Sequence, residues 1–163
     1  MRVEELDRVL RPRDGWPVWV TDAQYRATSH PSAVALPPIE QGANCQRYAY
    51  AVLGLLERRV QPYRSSELWD DPTLVHVVRD DAADLDLALF NDSDDAFGAH
   101  VAVVFGDRLL HLCAEVGAPA LWSWSDFAAR PRYAHLVGIV RVPPHSRSVI
   151  RHDLRPMCAE HDG

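Results

Sequence analysis

The chain has 163 residues, 47% of them hydrophobic, and a formal net charge of -6, which suits one compact core and neither a disordered nor a repetitive chain. Its arginines are scattered and form no basic run, which argues against a nucleic-acid or anionic-membrane surface and leaves small molecules, peptides or cationic groups as expected partners. Its three cysteines, at 45, 113 and 158, make neither a disulfide framework nor a CxxC zinc pair. With no apolar leader and no membrane-length stretch, the expectation is a cytoplasmic protein with a single domain over 1–143 and a polar tail over 144–163.

In chain order, Val3, Leu6, Val9 and Leu10 have helical spacing and predict a short helix ended by Pro12 and Gly15. "WPVWVT" (16–21) reads as a strand or extended segment. Residues 27–44, with Pro31, Pro37, Pro38 and Gly42, read as a loop of a length that is often functional. A helix over about 45–59 follows: Cys45, Tyr48, Ala49, Val52, Leu55 and Leu56 share one stripe, and Asn44 is its N-cap candidate. "PYRSSELWDDP" (62–72) suggests a loop with a short helix or turn. Strands are expected at 74–78, 85–91, 100–105, 108–114 and 136–142, with a short helix over 123–133 capped by Ser123 or Ser125. One main helix followed by an antiparallel meander of about five strands is an α+β arrangement.

Cys45 opens a helix, where the dipole and unpaired N–H groups favour a thiolate and a lowered thiol pKa. Its partner base is sought in "HVAVVFGDRLLHLCA". A two-residue turn at Gly106-Asp107 pairs Phe105 with Arg108, Val104 with Leu109, Ala102 with His111 and His100 with Cys113. Strand alternation then puts His100 and His111 on one face. A helix packed on that same face would bring thiol to imidazole, with the second histidine orienting the first.

The Asn-Cys helix start, "DLALF" at 86–90 and "AHVAVVFGDRLLHL" at 99–112 resemble the papain-like NlpC-type cell-wall peptidase family over about residues 40–142. That resemblance implies a papain-like α+β core and a cysteine peptidase or amidase acting on a small peptide or amide, including one derived from the cell wall. It makes Cys45 the nucleophile, His100 the general base and His111 the polar residue that orients it, with no cofactor; Asp86 and Phe90 fall on its structural strand. The chain departs from the family pattern at Asn44, at Gln46-Arg47 where Ser-Gly is usual, and at Ala83-Asp84-Leu85 where Pro-Gly is common.

Tyr25, Gln41, Gln46 and Trp122 are weaker candidates for substrate contact, Gln41 also as an oxyanion donor with the Cys45 N–H. The acidic stretch 91–98 before His100 would favour a cationic substrate and raise the histidine pKa if it lay at the mouth of a cleft. Two other readings are a non-catalytic binding module on the same scaffold and a zinc site of Cys45, His100, His111 and Cys113. Acyl transfer through the same thioester is a further possibility.

Overall fold

The computed structural model describes residues 1–145; Cys158 and the tail from 146 onward lie outside the described residues. The chain begins with α1 (Val3–Asp7), which buries Leu6. The segment expected to be extended is instead one helical turn, α2 (Trp19–Asp22), entered through Pro17 and burying Trp19 and Val20. Tertiary contact decides this: Trp19 meets the Tyr48 ring edge-on at 6.0 Å, and the Tyr48 hydroxyl donates to the Val20 carbonyl at 2.6 Å.

The central helix, α3 (Cys45–Leu55), buries Cys45, Tyr48, Ala49, Val52 and Leu53 on a stripe at helical spacing. The Asn44 side chain caps it, accepting from the Arg47 N–H at 2.9 Å. A short helix α4 (Ser65–Asp70) follows, then β1 (Val75–Val77), β2 (Leu87–Asn91), β3 (His100–Phe105), β4 (Arg108–Leu112), β5 (Pro119–Ser123), α5 (Trp124–Ala128) and β6 (His135–Arg141). Ser123 is the N-cap of α5, with Asp126 closing the capping box.

Among the described residues the strands make one six-stranded antiparallel sheet in the order β1-β6-β2-β3-β4-β5. This corrects the expectation of about five strands. The additional strand, β5, opens on Pro119 and occupies a sheet edge, the one place in a sheet where proline leaves no ladder bond unmade. The meander is also incomplete, because β6 returns to pair with β2 and separates it from β1.

Alternation along β2, β3 and β4 gives the sheet two different faces. Leu87, Leu89, Val101, Val103, Phe105, Leu110 and Leu112 pack against Tyr48, Ala49, Val52 and Leu53 of α3. The other face carries Ala88, Phe90, Ala102, Val104 and Leu109, covered by Phe127 of α5 and by Tyr133. The helix bearing Cys45 therefore covers the face opposite the histidines, contrary to expectation: bulky aliphatic side chains fill one side, while Ala88 and Ala102 leave room for rings on the other. Close approach recurs at Gly138 in β6, where an added Cβ would stand 2.1 Å from the Trp69 ring.

Candidate functional site

Cys45 lies where the N-terminus of α3 reaches the end of the sheet at which β3 begins. The preceding loop is pinned there: the Arg26 N–H donates to the Ala43 carbonyl at 2.8 Å and the Asn44 N–H to Ser29 at 3.0 Å. The Arg47 guanidinium holds the Gly42 and Pro37 carbonyls at 2.9 and 2.6 Å. The result is a cleft of about 180 Å³ lined by Tyr25, Cys45, Gln46, His100, Cys113 and Tyr133, with Arg64 and Arg132 among its other walls. Thiol and imidazole thus share a cleft at the sheet end instead of facing each other across one sheet face. Both line the cleft, and among the described residues no hydrogen bond joins them.

The histidine pair follows from the hairpin. Phe105 pairs with Arg108 and Val104 with Leu109, as the turn at Gly106-Asp107 predicts, and the ladder continues to Val103 and Leu110. Beyond it, His100 Nε2 lies 2.9 Å from His111 Nδ1. With Nε2 committed to His111, Nδ1 is the His100 nitrogen left for a proton from the thiol. That role requires the proton on Nε2, donating to His111 Nδ1, so His111 carries its own proton on Nε2. His111 Nε2 is buried and has no hydrogen-bond partner among the described residues; its ring packs against Trp122 and Phe127 at 4.2 and 4.8 Å.

Burial controls the charges. Loss of solvent pushes the Cys45 thiol pKa up, against the pull of backbone N–H groups at Val101 and Gln46 and of the Arg64 charge. This reverses the lowered pKa expected from the helix start, since desolvation outweighs a terminal dipole. Loss of solvent, with Arg132 adding repulsion, lowers His100 to about 3. His111 falls to about 2 through burial, then repulsion from His100 and Arg130. The resting pair is a neutral thiol and a neutral imidazole.

Of the weaker candidates, Tyr25 and Gln46 line the cleft. Gln46 is buried and accepts from the Asn44 side-chain amide at 3.0 Å. Gln41 is exposed at the end of a 3-10 turn and stands outside the cleft wall. Trp122 lies behind His111 with the Arg130 guanidinium 3.7 Å over its ring, so it backs the histidine and stands outside the wall of the Cys45 cleft. Asp86 is structural, buried and clasped by Arg141 at 2.7 and 2.8 Å. Cys113 is a buried free thiol on the cleft wall. Among the described residues no group of three or more His, Cys, Asp or Glu is placed to hold a metal ion, so the tetrad with Cys45, His100 and His111 is not assembled as a ligand set.

Arg64, Arg132 and Tyr133 line the cleft without any local sequence signal to announce them. Arg64 is set at the cleft by α4, whose Ser65 hydroxyl donates to the Ala96 carbonyl at 2.7 Å. Arg132 and Tyr133 arrive on the 3-10 turn Pro131–Tyr133, with the Tyr133 ring 4.9 Å from His100. The acidic loop before His100 reaches the cleft wall through Asn91 and Gly98 and not through a carboxylate: Asp94 pairs with His135, and Asp95 accepts the Phe97 N–H at 2.9 Å. It neither raises the histidine pKa nor supplies a carboxylate to the cleft wall.

No family model and no curated protein matches the chain. Among the described residues no helix is long and apolar enough to cross a membrane.

Proposed function

We propose that the protein is a cysteine hydrolase of papain-like, NlpC type that cleaves an amide or peptide bond through a thioester. The observation that carries this reading is the convergence on one cleft of a helix-start cysteine and a histidine whose far nitrogen is held by a second histidine. A smaller observation agrees with it: Leu85, standing before Asp86 where the family pattern favours glycine, has φ 71, a conformation glycine adopts without cost.

In this mechanism His100 Nδ1 takes the thiol proton as sulfur attacks the carbonyl carbon. The oxyanion is held by N–H groups at the start of α3. His100 returns the proton to the leaving nitrogen as the C–N bond breaks. Water, deprotonated by the same imidazole, then attacks the thioester and restores the thiol. His111 accepts from His100 Nε2 before and after proton transfer, so one hydrogen bond serves both charge states. Transfer of the acyl group to another amine uses the same intermediate.

The test is a screen of peptides and N-acyl amides, with folding checked by circular dichroism. Turnover should fall about a thousandfold or more in Cys45→Ala and in His100→Ala; full activity in either variant would end the assignment. A second reading, a non-catalytic binding module, draws on the burial that raises the thiol and depresses the histidine. It requires ligand binding with no turnover of any amide.

A further inference from the structure

The chain is acidic, with a formal net charge of -6, yet no aspartate or glutamate lines the cleft that holds Cys45. Its charged wall residues are Arg64 and Arg132. Among the described residues neither guanidinium has a carboxylate at salt-bridge distance. They come from separate elements, Arg64 from the residue before α4 and Arg132 from the turn after α5. Their fields converge: Arg64 acts on Cys45, Arg132 on His100, and both on Tyr25. In the nearby acidic loop the Asp95 carboxylate accepts from the Phe97 N–H and Asp94 pairs with His135.

We propose that the ligand of this cleft carries a carboxylate, held by Arg64 and Arg132 beside the Cys45 thiol. Guanidinium groups present planar donor forks that match a carboxylate. Two of them without a carboxylate partner among the described residues, Arg132 resting over the Tyr133 ring at 5.7 Å, favour at the rim of a partly desolvated cleft an anion over its neutral analogue. The substrate class is therefore an acyl compound with a free acid near the bond to be broken, a peptide or an N-acyl amino acid. The bond-breaking part rests on the hydrolase reading, whereas the preference for an anion does not.

The probes are iodoacetate and iodoacetamide, which alkylate thiolate by the same displacement of iodide and differ in one charge. Rates at Cys45 are read by peptide mass spectrometry at about pH 9, above the ordinary thiol pKa, and their ratio is normalised to that for 2-mercaptoethanol. The normalised ratio should exceed one and fall about fivefold in Arg64→Gln and in Arg132→Gln, with Arg64→Lys and Arg132→Lys retaining it; added salt should weaken it. A ratio at or below one, or one that neither glutamine variant moves, would overturn the proposal. So would a thiol that reacts with neither reagent until urea is added, because a cleft closed to a two-carbon acid seats no larger one. Turnover is scored separately. Anion preference without any turnover would sink the hydrolase reading and leave the carboxylate site; turnover with a flat labelling ratio would do the reverse.

Discussion

Cys45 and His100 are both nearly closed to solvent, and the same loss of water drives a thiol and an imidazole toward their uncharged forms from opposite sides. Labelling of Cys45 by iodoacetamide should therefore climb only above the ordinary thiol pKa of about 8.5. A rate already at its plateau near neutral pH would demonstrate a thiolate–imidazolium pair and contradict this charge state. The histidines also make stability depend on pH. An unfolded imidazole titrates near 6.5, whereas His100 and His111 in the fold titrate near 3 and 2. Between these values the unfolded chain binds protons that the folded chain does not. Stability is thus complete above about pH 6.5 and declines as pH falls, by at most about 1.4 kcal/mol per pH unit for each ring. Urea midpoints should drop between neutral and mildly acidic pH, and drop less in His111→Phe, which puts an apolar ring among Trp122 and Phe127. An equal drop in that variant would mean the histidine is not responsible.

Among the elements, β6 is constrained at two neighbouring points. Its pairing with β2 shifts register between Leu89 and Phe90, next to the position where Gly138 admits the Trp69 ring. Trp69 in turn stacks on His76 of β1 at 3.9 Å, so the glycine joins α4, β1 and β6 in one packing unit. Gly138→Ala should cost about 1–3 kcal/mol by overpacking. Most of that cost should vanish when it is combined with Trp69→Leu, since residues in contact are non-additive; additive urea-denaturation energies would show the clash is absent. The β3–β4 hairpin shows the opposite situation, an element legible from sequence. Its Gly-Asp turn and strict alternation fix the register locally, so the pairing from Phe105–Arg108 to Val103–Leu110 and the shared face of His100 and His111 could be read without the fold, whereas the expected pairs Ala102–His111 and His100–Cys113 lie beyond the observed ladder. The α2 turn could not, because "WPVWVT" satisfies a strand pattern equally well until Tyr48 and α3 pack against it.

Across the whole molecule, Asp86 ties the start of β2 to the end of β6. Its carboxylate takes two hydrogen bonds from Arg141 and one from the Ala83 N–H at 2.8 Å. Because Asp86 is buried while Arg141 is partly exposed, removing the arginine strands a charge that water reaches poorly. Arg141→Ala should cost roughly 2 kcal/mol by chemical denaturation, and Arg141→Lys should recover only part of it, since a point charge replaces a fork. Loss below about 0.5 kcal/mol, the range of ordinary surface substitutions, would show that the pair is dispensable.

What the sequence determined by itself was the set of local patterns: the α3 stripe and its Asn44 cap, the hairpin register, and the placement of Cys45, His100 and His111 as candidates for one site. These follow from periods of 3.6 and 2 and from turn chemistry, which act over a few residues. The tertiary structure alone decided that α3 covers the face opposite the histidines, that thiol and imidazole line one cleft at the sheet end, and that Arg64, Arg132 and Tyr133 join them from distant segments. It also decided the neutral resting charges, because desolvation is the sum of everything packed around a group and has no signature in the residues beside it.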